Sequence, residues 1–171
     1  MLDAGVRVLK IEGRARGAEY VKTVVECYKE AIDAWHKGEW NDEAIEQKIA
    51  TWDAQLMRVF NRGFWDGYYQ GAFLGQWSDV YGSKATKKKT YIGKVTNYFS
   101  NIGVAEILIE TGELNVGQNI LIIGPSTGVI EMQPAEIRVD LAATDKAVKG
   151  QYCSIAVPER LRRSDKVYIF E

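Results

Sequence analysis

Several kinds of side chain are scarce in this sequence of 171 residues, and each scarcity narrows the classes of protein that it can be. A single histidine, His36, disfavours a catalytic or metal site built on several imidazoles. The two cysteines, Cys27 and Cys153, lie far apart and lack the spacing of metal ligands. We interpret them as reduced, mostly buried thiols, which fits a cytoplasmic protein.

Long apolar runs and an excess of charge are missing as well. No stretch approaches the roughly 18 consecutive apolar residues of a membrane-spanning helix, so we expect no membrane partner. The first 14 residues carry charged side chains where a secretory signal has an apolar core. The formal net charge is −1, so binding to nucleic acid would require a local basic patch.

The hydrophobic pattern changes near the lysines at positions 87–89. Before them apolar residues recur at helical spacing, and after them they alternate or cluster in short β-rich runs. We therefore predict a helical segment over residues 1–83 and a C-terminal β domain over residues 84–171. The predicted fold class is α+β, a helical hairpin segment followed by a small six-stranded antiparallel β-barrel.

Two antiparallel helices are predicted in the first part. The first covers residues 18–37, with one apolar stripe and Gly38 at the position of a left-handed C-terminal cap. The second begins at an N-cap formed by Asn41 and Asp42. Residues 61–83 are rich in glycine and aromatic side chains, and they form either an extended wrap over the helices or an aromatic binding surface.

Residues 6–11 have the alternating apolar pattern of a β-strand. A strand followed at once by a helix is half of a βαβ unit, and a parallel strand needs neighbours that this sequence does not offer. We expect it to be the last strand of a preceding, larger α/β domain. The alternatives are an irregular arm or a strand of the later sheet.

Lys10, Glu12 and Arg14 alternate at the end of that predicted strand. A carboxylate between two cations can orient an anionic ligand or act as a general base, so these three are the candidate catalytic residues of the full-length protein. The alternative is an ion-paired strand end involving Arg16 and Glu19.

Other cationic side chains are candidates for binding a substrate. Arg62 either binds a phosphate or carboxylate or caps the preceding helix. The lysines between positions 84 and 94 form a basic stripe or a solvated hinge, and an RNA-binding role gains support if they meet the arginines at positions 160–163 in space. The predicted substrate-binding residues are Arg62, Lys87, Lys88, Lys89, Lys94, Arg162 and Arg163. We expect no metal and no cofactor in this chain, and its glycine-rich stretches lack the ending of a P-loop.

Three stretches resemble known families. The run Lys-Ile-Glu-Gly-Arg at positions 10–14, continued by the tyrosine- and valine-containing pattern of positions 20–33, is similar to a signature of the collagenase-like peptidase family U32. The run Asn-Arg-Gly-Phe at positions 61–64 resembles that family's second block. Positions 114–118 and 147–150 resemble, more weakly, the second-domain barrel of elongation factor Tu and related translation factors.

The resemblance implies a preceding (β/α) barrel as a partner domain and a parent protein of the peptidase or hydrolase class. The family's cysteine-bearing motif is not found in this sequence, so we expect no catalysis by this chain alone. The expected function is an accessory part that recognises a protein substrate. The alternatives are the RNA-binding part of an enzyme of tRNA or rRNA base hydroxylation, and a structural or dimerisation domain.

Overall fold

The computed structural model describes residues 1–40, 42–64, 68, 71 and 82–171, without the side chain of Asp42. The described chain divides into two compact units, Met1–Thr86 and Lys87–Glu171, which we call the helical unit and the β unit. Most of the predicted aromatic wrap over residues 61–83 lies outside the described residues, as does the predicted N-cap residue Asn41.

The helical unit contains α1 (Ala18–His36) and α2 (Asp42–Arg58). The first predicted helix is confirmed to within one residue at its C-terminus. Gly38 has a φ of +71°, and its N–H donates to the carbonyl oxygen of Trp35 at 3.0 Å while the N–H of Glu39 donates to Ala34 at 3.0 Å. These two bonds form a Schellman motif, so the predicted left-handed cap at Gly38 is confirmed.

Contacts between α1 and α2 run in opposite order along the two helices, so that the later residue of α1 meets the earlier residue of α2. The thiol of Cys27 donates to Gln55 Oε1 at 3.1 Å, and the indole of Trp52 donates to Glu30 Oε2 at 2.9 Å. The helices therefore run antiparallel, as predicted. Their shared core is small and consists of Cys27, Ala34, Ile45 and Trp52, with Ala31 and Leu56 partly buried against it.

Residues 6–11 do not form a strand with any described residue and run as an irregular arm before α1. An extended segment becomes a strand only when its backbone groups pair with a neighbour, and the prediction places that neighbour in a preceding domain, so the strand stays a prediction. The arm and α1 together line an apolar groove of about 790 Å³, and Trp35 donates to Asp3 Oδ1 at 3.0 Å.

The β unit has ten strands: β1 (Lys89–Phe99), β2 (Val104–Ile109), β3 (Glu113–Asn115), β4 (Ile120–Gly124), β5 (Gly128–Met132), β6 (Ile137–Val139), β7 (Ala142–Thr144), β8 (Lys146–Val148), β9 (Tyr152–Ala156) and β10 (Lys166–Phe170). Eight form one sheet in the order β5-β4-β10-β1-β2-β9-β6-β7, and β3 pairs with β8 in a separate ribbon. All pairings are antiparallel.

The fold class α+β is confirmed, but the closed six-stranded barrel was wrong. The sheet has eight strands and does not close, because its end strands β5 and β7 do not pair with each other. The strands β3, β7 and β8 add pairings that the six-stranded prediction did not include. Closure depends on strand tilt and stagger, which apolar patterning does not encode.

The inner face of the sheet forms the core of the β unit. Ala105, Ile107 and Ile109 on β2 are 0% exposed, and the neighbouring strands contribute further residues at 0–1% exposure. The β4–β5 hairpin approaches the loop before β10 so closely that a Cβ on Gly124 would lie 1.8 Å from Asp165 Oδ1. Only a residue without a side chain fits there.

Candidate functional site

The pairing of β1 with β10 collects basic and aromatic side chains on one face of the sheet. In this register Lys89 lies opposite Phe170, Tyr91 opposite Tyr168, and Lys94 opposite Lys166. Side chains alternate across a strand, and a register shift after Tyr91 keeps Lys94 on the face of Tyr91 and Lys89. We call Lys87, Lys89, Lys94 and Lys166, with Tyr91 and Tyr168, the basic strip.

Direct contacts connect the members of the basic strip. The Nζ atom of Lys89 lies 4.9 Å from the ring centroid of Tyr168, and that ring packs edge-on against Tyr91 at 5.6 Å between centroids. The Nζ atom of Lys87 lies 5.5 Å from the centroid of Phe170. Cations placed over aromatic faces keep an ammonium close to a flat apolar surface, which is a composition suited to ligands that carry both charge and rings.

One carboxylate, Glu110, lies within the basic strip. The hydroxyl of Tyr91 donates to Glu110, and the Nζ atom of Lys94 lies 2.7 Å from Glu110 Oε1. The hydrogen bond from Lys94 holds the pKa of Glu110 below its ordinary value, and the bond to Glu110 raises the pKa of Tyr91 to about 12. Near neutral pH the strip therefore has an ionised Glu110 and a neutral Tyr91, and Glu110 orients both side chains.

The loop before β10 exposes Arg162 and Arg163 because its other side chains anchor it. Asp165, 1% exposed, accepts hydrogen bonds from the hydroxyl of Thr127 and from the backbone N–H of Arg162, the latter at 2.8 Å. The N–H of Val95 donates to the carbonyl oxygen of Asp165 at 2.8 Å. The loop that carries the two arginines thus bonds to β1 at Val95, the residue after Lys94.

The two basic clusters of the β unit lie at opposite ends of the β1–β10 pair, with Lys94 and Lys166 between them. Lys89 and Lys94 are five residues apart, which corresponds to about 16 Å along a strand. Lys88 is exposed, and its backbone pairs with Glu171, whose N–H donates to the Lys88 carbonyl at 3.0 Å. The arrangement forms a charged track along one strand pair.

The candidate catalytic residues Lys10, Glu12 and Arg14 are exposed on the arm. Glu12 Oε1 accepts a hydrogen bond from the backbone N–H of Arg14 at 2.7 Å, which closes a local turn. The structure gives the three side chains no common partner among the described residues. Their proposed role in the full-length protein stays a prediction.

Arg62 follows α2, but Asn61 caps that helix. The side-chain amide of Asn61 donates to the carbonyl oxygens of Met57 at 3.3 Å and Val59 at 3.0 Å. The guanidinium carbon of Arg62 lies 5.9 Å from the ring centroid of Phe60, and that of Arg16 lies 3.9 Å from the same centroid. Arg62 is therefore grouped with a second arginine from the start of α1.

Both thiols are buried, as the sequence predicted. Burial raises the pKa of Cys27, and burial together with the charge of Glu106 raises the pKa of Cys153 to about 11. Such thiols are protonated near neutral pH and react slowly. Within the described ranges no group of three or more potential metal-ligating side chains was found, and no described helix is long and apolar enough to cross a membrane.

Sequence reasoning missed Glu110, Asp165, Lys166, Tyr168 and Arg16. The signal for two of them was present, since alternation along β10 places Lys166 and Tyr168 on one face. The roles of the other three depend on contacts with residues distant in sequence, which the pattern does not reveal.

Known proteins match both the first part of this chain and its full length. The family model described as "Peptidase family U32" matches residues 1–78. A protein of Porphyromonas gingivalis named "Collagenase" is 57% identical over 171 residues, which is all of this chain and 46% of that protein. The chain belongs to peptidase family U32. The suspected family is confirmed, and the chain spans less than half the length of this relative.

Two further similarities concern U32 proteins and RNA modification. The "tRNA hydroxylation protein P1" of Bacillus subtilis is 36% identical over 100 residues, 57% of this chain and 22% of that protein. The crystal structure of the C-terminal domain of a Geobacillus thermoleovorans protein assigned to the U32 peptidases matches with a TM-score of 0.43 and 18% identity, covering 46% of this chain and 89% of that one. The resemblance to translation-factor barrels stays a prediction.

Proposed function

We propose that this chain is the substrate-recognition part of a U32 family protein, without catalytic activity of its own, and that its β unit binds RNA through the basic strip. The observation that carries the proposal is the β1–β10 register, which places Lys89, Tyr91, Lys94, Lys166 and Tyr168 on one face. Because the net charge of the chain is −1, attraction to a polyanion must come from a local surface of this kind.

The chemistry of the strip suits single-stranded or looped RNA. Proteins that bind such strands combine a cationic track for the phosphates with aromatic side chains on which bases stack. Lys89 and Tyr168 provide both components at a separation of 4.9 Å. The similarity to a protein named for tRNA hydroxylation supports the same ligand class.

An extended peptide is the second candidate ligand, since the relative from Porphyromonas gingivalis is named a collagenase. The sheet ends at β5 and β7, and an end strand offers unpaired backbone groups to an added strand. Peptide binding at a sheet edge depends on main-chain hydrogen bonds and pockets, so it would be insensitive to the lysines of the strip. A structural or dimerisation role would require neither surface.

The exposed apolar face of α1 is proposed to dock against a (β/α) barrel domain of the parent protein. Val21, Val25 and Tyr28 recur at helical spacing with 36%, 44% and 49% of their surface exposed, and Val8 on the arm is 82% exposed. Contiguous exposed apolar residues of this kind mark interaction surfaces. The candidate residues Lys10, Glu12 and Arg14 lie on the same arm and would be presented to that domain.

Fluorescence anisotropy with labelled unmodified tRNA tests the proposed function. For four phosphate contacts, the affinity should fall on the order of 100-fold between about 50 and 200 mM salt. Lys89→Gln and Lys166→Gln should each weaken binding roughly 3- to 10-fold at low salt. The matched control is Lys149→Gln, an exposed lysine of the same unit in the turn between β8 and β9, which should bind like the unaltered chain.

Salt-independent binding, or an equal loss in Lys149→Gln, would contradict RNA recognition by the strip. Saturable binding to gelatin peptides that Lys89→Gln leaves unchanged would support the peptide alternative. Absence of binding to either polymer, with a concentration-dependent increase in mass by light scattering, would support a dimerisation domain.

A further inference from the structure

A pocket of about 350 Å³ in the helical unit combines two arginines with aromatic rings. It lies where the start of α1 meets the segment that follows α2. Its polar lining among the described residues comes from Arg16, Arg62, Tyr20, Tyr28 and Asn61, and no described carboxylate lines it. Its volume falls in the range of small-molecule sites, which extends from about 300 to 1,000 Å³.

The two guanidinium groups converge on a single phenyl ring. The guanidinium carbon of Arg16 lies 3.9 Å and that of Arg62 lies 5.9 Å from the centroid of Phe60. Neither arginine forms an ion pair with a carboxylate in the described part of the chain. Both guanidinium groups lie near one ring and line the same pocket, so an anion bound in the pocket would be attracted by both charges.

Backbone hydrogen bonds hold the two arginines in place. The N–H of Arg16 donates to the carbonyl oxygen of Gly13 at 3.1 Å in the turn before α1. On the other side, the amide of Lys84 donates to Asn61 at 2.8 Å and that of Thr86 to Met57 at 2.9 Å, so the returning chain fixes the turn that contains Arg62. A ligand would therefore meet a largely formed site, which reduces the entropy lost on binding.

A second pocket of the helical unit is lined by charges of both signs. It has a volume of about 590 Å³ and is lined by Glu30, Asp33 and Glu39 as well as by Lys37 and Lys48. The Nζ atom of Lys48 lies 2.7 Å from Glu39 Oε2, so charge is compensated inside that pocket. The pocket with Arg16 and Arg62 has no such compensation from the residues that the structure describes.

We propose that this pocket binds a nucleotide, with the phosphate on the guanidinium groups of Arg16 and Arg62 and the base against the aromatic rings. Guanidinium groups bind phosphate oxygens bidentately. The guanidinium group of Arg16 lies over the ring of Phe60, an arrangement that leaves its N–H donors at the edge of the contact. Tyr20, Tyr28 and Phe64 provide the apolar walls for a planar base. The nucleotide can be free or part of an RNA.

Isothermal titration of the full chain with adenosine 5′-monophosphate tests the site. We expect saturable binding, with adenosine at least 10-fold weaker because it lacks the phosphate. Arg16→Gln and Arg62→Gln should each weaken the binding of the nucleotide at least 10-fold, and Phe60→Leu should weaken it about 3-fold. Arg7→Gln, an exposed arginine on the arm of the same unit, is the matched control and should have no effect.

Retained tryptophan fluorescence shows that each variant is folded, and Arg16→Lys, which keeps the charge but not the bidentate donors, replaces Arg16→Gln if the latter unfolds. Equal affinity for adenosine and its monophosphate, or an equal loss in Arg7→Gln, would overturn the proposal. If Arg16→Gln weakens the binding of a short RNA, the ligand is a nucleotide within an RNA. If the binding of that RNA is unchanged, the ligand is a free nucleotide. Lys89→Gln should leave monophosphate binding unchanged, so failure of the basic strip and failure of this pocket are distinguishable.

Discussion

The β unit buries its apolar side chains almost completely, whereas the helical unit leaves many of its own on the surface. Ile92, Val95 and Ile107 in the β unit are at most 1% exposed. Among the described residues of the helical unit the most buried apolar residue is Cys27 at 3%, and Val25 is 44% exposed. Sheet pairing brings many distant residues to one face, while two helices share a single narrow seam.

This difference indicates how the two units are stabilised. A core of fully buried residues stabilises the β unit from within, at roughly 1.5–3 kcal/mol for each large aliphatic side chain removed from water. Two helices of 19 and 17 residues with a four-residue core have much less buried area to offset the loss of chain entropy. The exposed apolar face of α1 is where further stabilisation by another surface would act.

The sequence offers a separate probe for each unit. All five tryptophans lie between positions 35 and 77, in the helical unit, and the β unit contains none. Cys153 is the one cysteine of the β unit. Tryptophan fluorescence therefore reports unfolding of the helical unit, and labelling of Cys153, followed by mass spectrometry, reports unfolding of the β unit.

The largest predicted effect is that of a truncation in the β core. Ile107→Ala should destabilise the β unit by about 3–4 kcal/mol, because Ile107 is 0% exposed and packing around it is complete. Urea unfolding followed by Cys153 labelling measures this. The matched variant in the helical unit is Ile49→Ala. Because Ile49 is 41% exposed, its free energy of unfolding, followed by tryptophan fluorescence, should fall by less than about 1 kcal/mol. Equal losses in the two variants would contradict the contrast between the units.

An intermediate effect is predicted for the buried carboxylate of the β unit. Asp165→Ala should cost about 2 kcal/mol, because it leaves the hydroxyl of Thr127 and the N–H of Arg162 without their acceptor. The same Cys153 labelling measures it. Thr127→Val removes one donor only and should cost less. An Asp165→Ala chain as stable as the unaltered one would show that the backbone bond to Val95 holds this loop without the carboxylate.

The smallest effect is predicted at the cap of α1. Gly38→Ala should destabilise the helical unit by about 1 kcal/mol, because its φ of +71° is costly for a residue with a Cβ. Nothing lies within 4 Å of the added carbon, so no clash contributes. Lys37→Ala, one residue earlier in right-handed conformation, is the control and should change tryptophan-monitored unfolding little. If Lys37→Ala loses as much stability as Gly38→Ala, the effect does not come from the left-handed backbone at Gly38.

Patterns within a short stretch of sequence predicted the first helix and its end. The apolar stripe of α1 and Gly38 after it identified the helix and its end, because both follow from the 3.6-residue period and from left-handed geometry. The strand predicted at residues 6–11 stays a prediction, because an alternating pattern does not provide pairing partners and those were assigned to a preceding domain.

The candidate sites divide in the same way. The lysines at positions 87–89 were visible as a run, but their association with Tyr168 required β10 to insert between β1 and β4, a non-local pairing. Asp165 lies in a run of charged residues that has the composition of a solvated loop, yet it is 1% exposed. Arg16 and Phe60 are 44 positions apart in sequence, and only folding brings the guanidinium to 3.9 Å from the ring.

The amino-acid sequence by itself determined the α+β class, the two helices, the positions of the longer strands and membership of peptidase family U32, because these depend on periodicity and on short runs of identical residues. Tertiary structure alone decided that the sheet stays open, that the basic strip assembles across β1 and β10, and that two arginines share one ring. Each of those outcomes depends on the register and approach of segments distant in sequence, which are set by side-chain packing across the whole unit.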